Sequence, residues 1–92
     1  MKTYMAIAVS ICNYHHFVVT NVHQKMLEAP SIKEARSKAR KFVGSKNGAE
    51  KRRKRNGRYK PRFSLHCILQ LKKSPKDKFG TMYKIVKAIP AQ

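Results

Sequence analysis

Alternation of large and small side chains near the start of this 92-residue chain constrains its fold more than any other feature. Within residues 3–12, every second residue is large and apolar, and the residues between them are mostly small or polar. Side chains alternate between the two faces of a β-strand, so this period of two predicts a strand covered on one face. One face carries Met5, Ile7, Val9 and Ile11, and the other carries Tyr4, Ala6, Ala8, Ser10 and Cys12.

Three further segments have the signature of strands. Residues 16–25 are rich in β-branched and aromatic residues and follow a turn at residues 13–15, which predicts a hairpin. Residues 62–72 alternate again. After a turn at residues 74–77, residues 79–89 complete a set of four predicted strands.

The segment between the second and third strands has the marks of a helix over residues 32–43. Ser31 can cap its N-terminus, and Glu34 three residues later completes a capping box. Gly44 stands where a helix often ends in a left-handed residue. The apolar residues at helical spacing are Ile32, Ala35, Ala39, Phe42 and Val43.

This order of elements predicts a single α+β domain over residues 1–92, with ββαββ topology. We expect a four-stranded, largely antiparallel sheet with one helix packed on one face. Residues 44–61 hold no aliphatic residue larger than alanine and predict a long, flexible basic arm between the helix and the third strand. An Asn-Gly pair at residues 56–57 favours an alternative, a protruding hairpin over residues 50–63.

Positive charge is concentrated in the middle of the chain. The chain has 22 lysines and arginines against four acids, a net charge of +18. Residues 32–62 hold fourteen of these bases and two acids, a net charge of +12. Such clustering indicates a surface that meets a polyanion, and nucleic acid is the favoured one because contact releases its condensed counterions.

The predicted nucleic-acid-binding residues come from the basic run and from the outer face of the helix. Arginine offers paired donors to phosphate, and lysine a mobile point charge. Tyr59 lies within the basic run and can stack on a base. The alternative is a solvated tail or a nuclear address. The predicted residues are Lys51, Arg52, Arg53, Lys54, Arg55, Arg58, Tyr59, Lys60, Arg62, Lys33, Arg36, Arg40 and Lys41.

No metal or cofactor is predicted. Cys12 and Cys67 are too few for a disulfide framework, although a single bridge stays open, and a reducing compartment is the simpler expectation. Along a strand, His66 and Cys67 point to opposite faces and do not easily share an ion. Apolar stretches are too short for a membrane helix. We expect an intracellular protein, in the cytoplasm or nucleoid, or in the nucleus of a eukaryote.

Four carboxylates leave little for acid–base or two-metal chemistry, which favours a non-catalytic protein. RNA is favoured over DNA, as in a component of the ribosome or another ribonucleoprotein or in a small viral or phage protein. One alternative is a small metal-independent ribonuclease using His66 as base, Tyr83 as proton relay and Arg62 as phosphate clamp. Another is an inhibitor that binds an acidic surface of a nucleic-acid enzyme.

Overall fold

The computed structural model describes residues 1–14, 17–52, 61–73 and 82–91, with side chains of Tyr14 and Arg52 left aside. Four strands form one antiparallel sheet in the order β2-β1-β3-β4, and one helix packs on it. The predicted ββαββ α+β fold is therefore confirmed. The elements are β1 (Lys2–Tyr14), β2 (Phe17–Ala29), α1 (Ile32–Arg52), β3 (Arg62–Lys73) and β4 (Tyr83–Pro90).

Strand β1 lies in the middle of the sheet and pairs with β2 on one side and β3 on the other. Its pairing with β2 runs without interruption from Lys2 opposite Ala29 to Tyr14 opposite Phe17. Strand β2 continues past its predicted end at residue 25, because the added residues Leu27 and Ala29 are buried beneath the helix. The long hairpin gives the sheet its length.

The helix covers the face of β1 that carries the small and polar side chains. Ala6 and Ala8 of β1 are fully buried, as are Ala35 and Ala39 of α1. Alanines on both elements let the helix approach the sheet closely, so this face becomes the core. The main cluster consists of Tyr4, Ala6, Leu27, Ala29, Ala35, Ala39, Ile68 and Ile89.

The start of α1 is as predicted. The backbone N–H of Glu34 donates to the Ser31 hydroxyl at 3.4 Å, and the N–H of Ala35 donates to the Ser31 carbonyl at 3.0 Å. Ser31 thus satisfies a donor that the first turn leaves without an intrahelical partner. The acid at Glu34 also suits the positive end of the helix dipole.

The predicted end of the helix at residue 43 is wrong, because α1 continues to Arg52. Gly44 is an ordinary helical residue, and a Cβ added there meets nothing within 4 Å. The inward stripe continues in polar residues, since Glu50 is buried and Asn47 bonds to β3. These contacts outweigh the weak helix propensity of glycine. The arm predicted at 44–61 is therefore helical up to residue 52, and the Asn-Gly pair lies outside the described residues.

Two further expectations concern thiols and membranes. Cys12 and Cys67 are not joined by a disulfide, and the strand registers place them on opposite faces of the sheet. Among the described residues, no helix combines the length and the apolar character that crossing a membrane requires.

Candidate nucleic-acid interface

A groove with a volume of ≈ 700 Å³ lies between α1 and β2. The helix contributes residues spaced three and four apart, which share the flank that faces β2. Four lysines line the groove, and we call it the lysine groove. They are Lys25 of β2 and Lys38, Lys41 and Lys46 of α1.

An aromatic ring lies among these cations. Phe42 is half-buried and packs against the core, and it also lines the lysine groove. The Lys25 ammonium is 5.4 Å from the centre of the ring, and the Lys46 ammonium is 5.9 Å from it. Both distances fall within cation–π range. The groove therefore combines cations with an apolar ring face.

The positive charge of the groove is largely uncompensated, because few carboxylates lie near it. The one acid among its described lining residues is Glu28, and none of the four lysines forms an ion pair within the described part of the chain. Lys38 instead donates to the backbone carbonyl of Glu28 at 2.5 Å. This bond ties the helix to the end of β2 and holds one ammonium at the groove edge.

The structure places the predicted helical cations in three different settings. Lys33, Arg40 and Lys51 are exposed, and Lys41 lines the lysine groove. Arg36 is half-buried, and its guanidinium donates to the carbonyl of Pro90 at 3.4 Å. Arg36 therefore connects α1 to the end of β4, a structural role that sequence reasoning did not foresee.

The remaining predicted residues are not brought together with the groove in the described structure. Arg62 is exposed at the start of β3, and its register opposite Ile11 places it on the sheet face away from the helix. Arg52 ends α1. The others lie outside the described residues, namely Arg53, Lys54, Arg55, Arg58, Tyr59 and Lys60.

Sequence reasoning missed Lys25 and Lys46 as site residues. Lys46 joins the flank of Lys38 and Lys41 only because α1 runs past Gly44, and the predicted helix stopped before it. Lys25 is the last residue of the second predicted strand, and the sequence does not indicate which residues of the helix lie near it. Its place opposite Phe42 is a long-range contact, for which neither periodicity nor spacing carries a signal.

The three residues suggested for a ribonuclease do not converge. Arg62 opens β3, whereas Tyr83 pairs with Lys73 at the opposite end of that strand. Eleven steps of an extended strand separate these ends by about 36 Å. His66 lies between them at a break in the β1–β3 register. These side chains therefore do not form one active site.

Metal ligands are likewise not clustered, since no group of three or more His, Cys, Asp or Glu side chains is placed to hold an ion within the described residues.

Comparisons of the chain with protein-family models, with curated proteins and with solved structures found no match.

Proposed function

We propose that this protein binds nucleic acid without catalysis, RNA in preference to DNA, and that the lysine groove is its central contact with phosphate. The observation that carries the proposal is a groove between α1 and β2 that is lined by four lysines, two of which lie over the ring of Phe42. A ribonucleoprotein component or a small viral or phage protein fits such an activity.

Electrostatics supports this assignment. The chain carries a net charge of +18, and the groove lysines have no carboxylate partners within the described residues. A phosphate backbone that enters the groove neutralises several ammoniums and releases its counterions into solution. This release supplies a binding energy that depends on salt and hardly on base sequence.

The ring of Phe42 supports a preference for single strands over duplexes. Unpaired bases stack on aromatic side chains, whereas the paired bases of a duplex are not free to do so. Lys25 and Lys46 already lie over this ring, so a base takes the place of one ammonium, which then moves to a phosphate. Stacking and phosphate contact are thus available at one point.

Other exposed cations extend the surface beyond the groove. Lys33, Arg40 and Lys51 lie on the solvent side of α1. The basic run that begins at Lys51 continues into residues outside the described ranges, and its contribution to phosphate contact stays a prediction from sequence. We expect it to lengthen the path of a bound strand beyond the end of the helix.

The test measures binding of fluorescently labelled RNA and DNA, each as a single strand and as a duplex, across a salt series. With six to eight phosphate contacts, the slope of log Kd against log salt concentration is about 5 to 7 for a duplex and somewhat less for a single strand. The groove variant carries Lys41→Gln and Lys46→Gln. We expect at least about a tenfold loss of affinity and a slope smaller by about 1.5 to 2.

A matched control removes the same charge elsewhere. Lys72 and Lys84 are exposed and lie opposite each other on β3 and β4, toward the edge of the sheet that is farther from the groove. The double variant Lys72→Gln and Lys84→Gln should lose much less affinity. Equal losses in both variants would refute the groove as the contact, and a wild-type protein that binds none of the probes would refute the proposed function.

A further inference from the structure

The sheet face away from the helix is apolar and open, and this is unusual for a sheet covered on one side only. Such sheets normally carry polar residues on the outer face. Here Val18 is 60% exposed, Val22 62% and Ile85 64%. The strand registers place these side chains on the face of Met5 and Ile7, opposite the one that α1 covers.

Apolar residues continue across the strands in rows. One row crosses all four strands. The row beyond it places Gln24 beside Ile7 and Cys67, and the row after that places Val22 and Val9 beside Ser64. The first row consists of Met26, Met5, Leu69 and Ala88. The charged residues that the registers place on this face are near strand ends, at Glu28, Arg62 and Lys73.

We propose that a second copy of this chain covers this face, with the two sheets packed against each other in a symmetric dimer. An uncharged centre offers nothing to a phosphate backbone, which needs cations, so nucleic acid is a poor occupant. A contiguous apolar surface that spans several strands is typical of a contact with another protein.

The positive charge of the chain permits a second copy packed in this orientation. The lysine groove and the exposed cations of α1 lie on the opposite side of the sheet. Two sheets packed face to face are about 10 Å apart, and a helix adds a layer of about 10–12 Å on each outer side. The cationic helix surfaces are then tens of ångströms apart, several times the Debye length of about 8 Å at physiological salt, and their repulsion is screened.

The available area also matches a stable pair. From strand lengths of 13, 13, 12 and 8 residues, a rise of about 3.3 Å per residue and a spacing of about 4.8 Å, the open face measures about 700 Å². Two such faces bury about 1,400 Å², within the range of about 1,200–2,000 Å² found for specific interfaces.

Sedimentation equilibrium of the full chain tests the dimer, in about 0.5 M NaCl and after removal of nucleic acid, so that RNA cannot link the copies. We expect a mass of twice the 10.6 kDa chain at about 10–200 µM. The variants Val22→Lys and Ile85→Lys place a charge in the interface, on β2 and on β4. Each should raise the dimer dissociation constant at least about 100-fold.

Because Val22 and Ile85 are exposed in one chain, both variants should keep the far-ultraviolet circular dichroism of the wild type. If one of the two variants unfolds, the dimer dissociation constant of the other variant tests the interface. Asn21→Lys is the matched control, since Asn21 is exposed, precedes Val22 and points to the helix side opposite Ser10. This variant should remain dimeric.

Three outcomes would overturn the proposal. They are a wild-type monomer over the whole range, a folded Val22→Lys or Ile85→Lys variant that dimerises like the wild type, and an Asn21→Lys variant that dissociates as fully as Val22→Lys. The salt-dependent binding assay is independent of these results, because a monomer can still bind nucleic acid through the lysine groove.

Discussion

The side-chain amide of Asn47 exchanges two hydrogen bonds with the backbone of Phe63. Its Nδ2 donates to the Phe63 carbonyl at 3.0 Å, and the Phe63 N–H donates to its Oδ1 at 3.0 Å. Strand β4 pairs with β3 from Cys67 onward, so Phe63 lies beyond the described pairing with β4. The amide therefore takes the place of a neighbouring strand and ties the second half of α1 to the sheet.

Asn47→Asp should destabilise the protein. A carboxylate cannot donate to the Phe63 carbonyl, and its charge is unfavourable in the second half of a helix. We expect a loss of about 1–3 kcal/mol in urea unfolding. Ser45→Asp is the control, because it adds the same charge at an exposed position of the helix and should change stability by less than about 0.5 kcal/mol. Similar values for both variants would contradict the role of the amide.

Gly44→Ala should stabilise the protein, since residue 44 is inside the helix and an added Cβ meets nothing within 4 Å. Alanine is the better helix former by about 0.5–1 kcal/mol, and Gly48→Ala should behave alike for the same reason. Thermal unfolding followed by circular dichroism measures the change. A loss of stability at residue 44 would indicate a left-handed helix end there, as the sequence first suggested.

Tyr4→Phe should leave stability unchanged or raise it by up to about 1 kcal/mol. The Tyr4 side chain is 0% exposed, and its hydroxyl has no hydrogen-bond partner among the described residues. Removing such a hydroxyl removes the cost of burying it while the ring keeps its packing. Tyr83→Phe at an exposed position is the control. A loss above about 1.5 kcal/mol in denaturant unfolding would show that the hydroxyl is bonded.

Phe42→Leu should separate stacking from charge. Leucine keeps much of the apolar contact with the core but removes the aromatic ring over which the Lys25 and Lys46 ammoniums lie. One lost base–aromatic stack is worth about 1–3 kcal/mol, so affinity for single-stranded RNA should fall by roughly 5- to 150-fold. Duplex affinity and the salt slope should stay nearly the same, and equal losses on both probes would exclude a stacking role.

Phe42→Ala and Ile68→Ala together test where the core lies. Ile68 is 0% exposed in the middle of the sheet, and its truncation should cost about 3–5 kcal/mol. Phe42 is half-buried at the edge of the helix–sheet interface, so we expect about 2 kcal/mol. If Phe42→Ala proved the more costly of the two in urea unfolding, Phe42 rather than Ile68 would be the anchor.

Local features of the chain were readable without the structure. Alternation located β1 and β3, and the Ser31–Glu34 pair located the start of α1, because both signals depend on residues close in sequence. The end of α1 is not readable in this way, because glycine at residue 44 is typical of a helix end, whereas the hydrogen bonds between Asn47 and Phe63 hold the helix beyond it and join residues distant in sequence.

By itself, the sequence determined the order of the elements, the cap of the helix and the excess of cations, since each of these follows from composition or short-range periodicity. Only the tertiary structure decided which face of β1 the helix covers and which lysines line the same groove. Alternation is the same for either face, and it is the close approach of alanines such as Ala6 and Ala39 that favours one of them. That packing brings Lys25 and Lys46 to one ring, a contact between residues distant in the chain.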